Sequence, residues 1–301
     1  MRASMRTAAA IVVFLLLAPV ARVARAQPGG GSGMSGPSDW MSGEIIVPTG
    51  VRADGKGGAF FQTDLWIRCQ TVPTTVTLHL NLADAPSSMS AATVTLALSH
   101  TVTFFPDIVS NVFLYPSASG NIRIVASRPV AATARVYNSG GGGAFGLALT
   151  GMPATMSLQS MPMPDGAYGV DDFAVYMVGL LPQPGNRVNV AVVNTGSAAV
   201  SGVVEILDVD GDFPVGTGPT SFPFSIQGYS SHQFNDVLAH LHSKTGNDAT
   251  LQARVRLDPG SPGTVMAYAV VNDNVTNDGY IVMGNMMNDG RGMGSGAMAR
   301  R

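Results

Sequence analysis

Cysteine, glutamate, lysine and net charge are all scarce in this sequence. One Cys among 301 residues excludes an intramolecular disulfide framework and any Cys-rich zinc site. The formal net charge is −2, from 17 Lys and Arg against 19 Asp and Glu, so no general electrostatic attraction to nucleic acid is expected. Only two Glu (Glu44, Glu205) and two Lys (Lys56, Lys244) are present, which leaves little material for long solvated helices and favours β structure.

The first 26 residues have the pattern of a secretory signal peptide. Arg2 and Arg6 form a basic start, residues 8–20 are apolar, and residues 24–26 (Ala-Arg-Ala) supply a cleavage site. We expect a secreted, extracellular or periplasmic protein that begins at Gln27, with a retained N-terminal anchor as the alternative. Cleavage removes four Arg and no acid, which lowers the net charge to −6. No other segment approaches the ~20 apolar residues of a membrane-spanning helix, so no span is expected after cleavage.

Alternating polar and apolar residues dominate the chain from Glu44 onward. Residues 75–82 alternate without a break, and residues 93–98, 121–126 and 250–257 repeat the period of two. Clusters of Gly, Pro, Asn and Asp separate these runs, which predicts an all-β fold of antiparallel sandwiches rather than βαβ units. The positions predicted to face the core are Ile122, Ile124, Leu251, Ala253, Val255 and Leu257.

The two halves of the chain share an order of motifs, which predicts two tandem sandwiches. Each half has a strand, an alternating strand, a short helical turn and a closing strand pair. The matched segments are 63–69 with 188–194, 76–82 with 203–207, 107–113 with 235–241, and 134–138 with 269–273. Asp107 and Asn235 are the expected N-caps of the two helical turns.

These patterns divide the chain into six segments. In order, they are a signal peptide (1–26), a Gly/Ser-rich linker (27–43), a first β-sandwich (44–150), a Pro/Met-rich connector (151–168), a second β-sandwich (169–284) and a flexible tail (285–301).

Four segments together resemble an Ig-like β-sandwich module that occurs as tandem repeats in exported bacterial proteins. They are TDLWI (63–67), RVYN (135–138), NVAVVNTG (189–196) and AYAVVNDNVTND (267–278). The resemblance covers residues 44–282 and implies two tandem Ig-like antiparallel β-sandwiches and a bacterial source. It implies no catalytic residues. Cys69 stands where the second half has Asn194. It lies on the same side of its predicted strand as the apolar residues, which predicts a buried, inert thiol.

Three carboxylates within five residues, Asp208, Asp210 and Asp212, have the spacing that begins a calcium loop. No Glu follows them in the sequence, so the distal bidentate ligand of a complete loop is missing. An Asp-Gly turn between two strands explains the same residues. We predict a turn, and calcium at these three residues is the alternative; no other cofactor is expected.

Catalytic pairs are not predicted by the sequence. Ser230, His232 and Asp236 have the letters of a triad, but neighbours on an extended segment point to opposite faces. The Gly-rich stretch at 141–146 leads into a strand, whereas a dinucleotide fingerprint requires a helix there.

The sequence therefore favours a non-enzymatic structural, adhesion or binding module of the cell surface or extracellular space. Its expected partner is a protein or a surface polysaccharide, bound at loops or sheet edges. A calcium-dependent binding module is one alternative, and a secreted hydrolase is a weaker one. The alternation of its strand places Trp66 on the side that faces away from the core. We expect it to pack under the neighbouring domain or the N-terminal strand rather than to stack on a ligand.

Overall fold

Antiparallel β-strands make up nearly all of the regular structure in the computed structural model. It describes residues 41–55, 58–85, 91–140, 146–159, 173–181, 185–242, 250–273 and 279–288. All of these residues belong to one compact unit, Pro37–Arg301. The predicted signal peptide and the Gly-rich stretch at 141–145 lie outside the described residues. No described helix is long and apolar enough to cross a membrane.

The first half contains β1 (Ser42–Asp54), β2 (Phe60–Cys69), β3 (Thr74–Leu82), β4 (Ala92–Leu98), β5 (Val102–Phe105), α1 (Ile108–Asn111), β6 (Ala118–Asn138), β7 (Gly146–Thr150) and β8 (Met152–Pro153). A 3-10 turn (Ala154–Met156) and β9 (Leu158–Gln159) follow. The second half contains β10 (Phe173–Leu180), β11 (Asn186–Asn194), β12 (Val200–Leu207), β13 (Val215–Gly216), β14 (Ser221–Ile226), β15 (Ser231–Phe234), β16 (Leu241–His242), β17 (Leu251–Leu257), β18 (Thr264–Asp273), β19 (Gly279–Met283) and β20 (Asn285–Asn288).

Both halves pair their strands in the same order. In the second half one sheet runs β14-β12-β17-β10-β20, and the other runs β15-β11-β18-β19. In the first half β1–β8 form one eight-stranded sheet, in which β1 also pairs with β2. The order is β4-β3-β6-β1-β8 along the first part of β6, and β5-β2-β6-β7 along its second part. One long strand, β6, therefore takes the places that β17 and β18 share in the second half.

Each half has its own apolar core, and the predicted inward positions lie in these cores. Ile122 and Ile124 of β6 are fully buried in the first core. Leu251, Ala253 and Val255 of β17 are fully buried in the second core, against which Leu257 packs while partly exposed. The period-2 prediction is confirmed for these strands because alternate side chains of a strand face the same side.

The two expected helical turns differ in the structure. A helix, α1, does form with Asp107 at its N-cap position, but the Asp107 side chain makes no capping hydrogen bond, so the expected side-chain cap is wrong. Asp107 is left-handed (φ 39°), and its carboxylate accepts hydrogen bonds from Arg52 and Gln62 instead. Residues 237–240 form turns instead of a helix, since Asp236 (φ 54°) and His240 (φ 64°) have left-handed backbones that a right-handed helix cannot contain.

Short strands also form in segments that were expected to be a connector and a tail. β8 and β9 lie in the connector and pair with β1 and β18. β20 lies within the expected tail and pairs with β10 over four residue pairs, from Phe173 to Tyr176. The physical reason is the open edge of each sheet, whose unpaired N–H and C=O groups accept a further strand whatever its side chains.

Candidate functional site

One end of the sheet β15-β11-β18-β19 is covered by the first half. Its outer face presents Ala191 and Val193 from β11 and Met266 and Tyr268 from β18, all buried. Ile46 of β1 packs into the same cluster, together with Met152, Ala154 and Met156. Burial raises the pKa of Tyr268 to about 12, although a hydrogen bond with Thr49 of β1 acts in the opposite direction. The two halves thus meet across a mainly apolar contact.

Hydrogen bonds from Ser230 and Ser231 fix the second half on the end of β3. The Ser230 hydroxyl donates to the Leu82 carbonyl over 2.7 Å and accepts from the Ala85 N–H over 3.1 Å. The Asp84 N–H donates to the Ser231 carbonyl over 2.7 Å. Because Ser230 is only 2% exposed, these bonds are shielded from water.

A second group of contacts joins Tyr229 and His232 to the first half. The Asn121 side-chain amide donates to the Tyr229 carbonyl over 2.7 Å, and the Arg123 guanidinium lies 4.5 Å from the centre of the Tyr229 ring. His232 Nδ1 lies 2.5 Å from an Asp84 carboxylate oxygen. Polar contacts thus add to the apolar contact and hold the two halves in one arrangement.

At the other end of the same sheet face the two halves separate and leave a cleft of about 580 Å³. Its apolar lining comes mainly from the first half, with Val51, Phe61, Val136, Leu147 and Leu149, and from Val270 and Ile281 of the second half. Its polar lining comes mainly from the second half, and Thr49, Asp54 and Ser119 of the first half add to it. The polar residues of the second half are Arg187, Asn189, Gln233, Asn235, Asp236 and Asn272. A volume of this size, with an apolar wall and a few convergent polar groups, is typical of small-molecule sites.

The polar wall arises from a change of residue type along β11. Its inward positions, Val188, Val190 and Val192, all belong to the core. Its outward positions are Arg187 and Asn189 at the cleft and then Ala191 at the covered end, because successive side chains alternate between faces.

Backbone and side-chain hydrogen bonds shape the rim of the cleft. Asn189 Oδ1 accepts from the Asp236 N–H over 3.0 Å, and Gln233 Nε2 donates to Asn235 Oδ1 over 2.8 Å. Asn235 therefore binds the neighbouring Gln233 side chain, so its predicted role as an N-cap is also wrong.

Arg187 lines the cleft with part of its side chain and has one buried atom without a described partner. Among the described residues, Arg187 Nε is buried and makes no hydrogen bond. Native proteins rarely leave a buried donor unsatisfied, since such a group costs about 1–3 kcal/mol.

Asp208, Asp210 and Asp212 lie in the loop after β12. Asp208 Oδ1 accepts from the Asp210 N–H over 3.0 Å and from the Asp212 N–H over 3.1 Å. These bonds are those of the predicted turn. Asp208 is 1% exposed, and its Oδ2 is buried without a described hydrogen-bond partner. No three His, Cys, Asp or Glu of the described residues are arranged to hold a metal ion, and calcium here stays a prediction.

The side chains of Ser230 and His232 contact residues of the first half. Ser230 hydrogen-bonds with Leu82 and Ala85, and His232 contacts Asp84. Their contacts are thus those of an interface between the halves. Cys69 is 2% exposed and free, so the predicted burial of its thiol is confirmed.

Trp66 packs against a neighbouring strand. Its ring stacks on Phe104 of β5 with 4.7 Å between ring centroids and 23° between planes. Phe104 is 47% exposed, so the pair lies at the surface of the first half. The structure thus describes a packing contact for Trp66 with β5, and its expected contact with the neighbouring domain or the N-terminal strand stays a prediction.

Arg187 and Asn189 were not predicted as site residues. The sequence RVNVAVV (187–193) does contain a signal. The alternate positions that face away from the core hold polar side chains at the start of the strand and small apolar side chains further along. That pattern indicates that the outer face of this strand is exposed to solvent at one end and buried against another part of the protein at the other.

Comparisons with known proteins give little likeness. No family model matches the chain, and no curated protein matches it. Among solved structures, the chain is similar to a lectin from Pleurotus ostreatus in complex with GalNAc, at 10% identity, 80% coverage of this chain, 82% coverage of the lectin and a TM-score of 0.21. It is also similar to a chain of Broad Bean Stain Virus, at 9% identity, 86% and 92% coverage and a TM-score of 0.19. TM-scores this low support no argument about this chain.

Proposed function

We propose that this protein is an exported, non-enzymatic binding module of two tandem β-sandwiches, and that it binds a small molecule in the cleft between its halves. The cleft itself carries the proposal, because it combines an apolar wall with a polar wall that includes the Arg187 side chain. The shared strand order of the two halves supports the tandem description. The signal-peptide pattern supports export.

The fixed contact between the halves favours binding in a preformed site. Both walls of the cleft are continuous with the apolar contact at Ile46 and Tyr268 and with the hydrogen bonds of Ser230. A ligand therefore finds the two walls already in place and loses little free energy in ordering them.

A blocked cleft tests this function. Val270 lines the cleft and is partly buried, so Val270→Trp should fill it. Val178 of β10 is 54% exposed and does not line the cleft, so Val178→Trp is a matched control. A panel of monosaccharides, organic acids, amino acids and nucleosides is screened by thermal shift. We expect at least one class to raise the Tm of wild type and Val178→Trp but not of Val270→Trp. An equal response of all three proteins, or no response of the wild type, would contradict the proposal.

Calcium binding is a second candidate function, favoured by the buried, unsatisfied Oδ2 of Asp208. In this case Ca²⁺ would draw Asp210 and Asp212 around Asp208 and stiffen the second half. A thermal melt in EDTA followed by added Ca²⁺ tests it, with Asp208→Asn as the control variant. A rise in Tm on adding Ca²⁺ to the wild type is expected, and an unchanged midpoint would exclude it.

A further inference from the structure

The outer edge of β4 lacks the features that usually keep the edge of a sheet from pairing. β4 ends the sheet of the first half, and among the described residues no strand pairs with its outer side. Its seven residues include no charged residue, Pro or Gly, and their register with β3 runs without a bulge from Ala92 to Leu98. Natural proteins protect edge strands with charges, Pro, bulges or short length. An edge as long and regular as β4 can therefore accept another strand.

The other described strands that lie at the edge of a sheet have such protection. Apart from the strands of two residues, β5, β15 and β20 have four residues each, and β7 and β19 have five. β14, with six residues, contains Pro223, which has no backbone N–H to donate. The lack of protection is thus specific to β4 among these edges, which indicates that this edge has a partner.

The side chains of β4 indicate what kind of strand fits beside it. Val94 and Leu96 pack against the core of the first half but remain partly exposed, because the sheet ends there. On the opposite face Thr93, Thr95 and Ala97 are exposed. A neighbouring strand would bury more of Val94 and Leu96 if it had apolar side chains on the core side and small neutral ones on the other. β4 itself has this pattern.

We propose that β4 pairs with β4 of a second copy of this chain, antiparallel and around a two-fold axis at Thr95. This register keeps all seven residues of β4 paired. It places Val94 opposite Leu96 of the second copy on the core side, and Thr93 opposite Ala97 on the outer side. No charged side chain lies in either strand, so no like charges face each other. The two-fold pair uses both β4 edges and is closed to a third copy at this strand.

Sedimentation velocity over a dilution series tests the dimer. An interface of one strand from each copy is small, so we expect a reversible monomer–dimer equilibrium for the wild type. Thr95→Lys places two like charges opposite each other at the axis and should raise the dissociation constant about fivefold or more. Thr75→Lys is the matched control, because Thr75 is exposed on β3, one strand away from the edge, and it should leave the constant unchanged. A wild type that stays monomeric at every concentration, or a dimer that both substitutions affect equally, would overturn the proposal.

A cysteine at the axis tests the register, and it decides the proposal should Thr95→Lys fail to fold. Opposite residues of an antiparallel pair have Cα atoms about 4.5–5.5 Å apart, within the range of about 4.4–6.8 Å that a disulfide spans. Thr95→Cys should therefore form a disulfide-linked dimer on mild oxidation, whereas Thr75→Cys should not. Cys69 is buried, so it does not compete in this reaction. No cross-linked dimer for Thr95→Cys, or equal cross-linking of the two variants, would overturn the pairing.

Discussion

Replacing Glu205 with Gln should strongly destabilise the second half, because this carboxylate is buried and bound by two arginines. Glu205 of β12 is 6% exposed, and its Oε2 accepts a hydrogen bond from Arg254 Nε of β17 over 2.9 Å. Arg256 donates to both carboxylate oxygens of Glu205, each over 2.9 Å. Arg254 itself is only 4% exposed, so one of the two ion pairs is buried.

The magnitude follows from the burial of the two pairs. Breaking a buried ion pair by removing one partner costs about 3–5 kcal/mol, because the other charge stays in the interior without its counter-ion. The Arg256 side chain is 31% exposed, so its pair adds no more than about 1 kcal/mol. We expect Glu205→Gln to lower the free energy of unfolding by about 3–5 kcal/mol in urea denaturation at pH 7.

The only other glutamate of the chain is a matched control. Glu44 pairs with Arg123 over 2.5 Å, but the two side chains are 37% and 19% exposed. Exposed pairs contribute about 0–1 kcal/mol, so Glu44→Gln should change stability by less than about 1 kcal/mol. A loss for Glu205→Gln no larger than that for Glu44→Gln would refute the reasoning.

The pH dependence gives a second check on Glu205. Burial acts to raise the pKa of Glu205, but hydrogen bonds and charge from Arg256 and Arg254 outweigh it and leave the pKa below the ordinary 4.5. A carboxylate with a lowered pKa contributes stability that is complete above the unfolded pKa and is lost as pH falls through the folded pKa. The gap in stability between wild type and Glu205→Gln should therefore narrow below pH 4.5. A gap that stays constant on acidification would contradict this assignment.

Three further substitutions have expected effects in the same urea assay. Gly120→Ala should cost about 1–3 kcal/mol, because its Cβ would lie 1.9 Å from the Asn81 carbonyl oxygen, whereas Gly43→Ala, with its nearest atom at 3.6 Å, should be close to neutral. Ser230→Ala should cost about 1–3 kcal/mol, since it leaves buried backbone groups of the first half without their partner. Arg187→Met should raise the stability of the ligand-free protein by about 1–3 kcal/mol, since it removes a buried unsatisfied donor. A loss of stability for Arg187→Met would show that the guanidinium has a structural partner.

Local sequence patterns predicted the long strands well, but they did not predict the short strands at the edges of the sheets. The uninterrupted alternation of residues 75–82 corresponds to β3, and the buried parity of β17 was predicted from its residues alone. Neither β8 nor β20 has such a pattern, because an edge strand of two to four residues is held by backbone hydrogen bonds to its neighbour. Side chains alone do not encode pairing of this kind.

The cleft could not be predicted from the sequence because it depends on how the two halves meet. Arg187 and Phe61 are distant in the sequence and come from halves that were interpreted separately. The contact that brings them together uses Ile46, which belongs to the same strand as core residues of the first half but faces the second half. Asp208 shows the opposite case, since its turn depends on neighbours within four residues and was predicted correctly.

Because β6 is one continuous strand, the two halves are expected to differ in how they unfold locally. The 21 residues of β6 pair with β1 and β3 along the first part and with β2 and β7 along the second, so neither group of strands can lose β6 without disturbing the other. In the second half β17 and β18 are separate strands joined through residues 258–263, and each serves one layer. Local unfolding proceeds in cooperative units set by such connections. Native-state amide hydrogen exchange should thus show one common protection level across the first half and two distinct levels in the second.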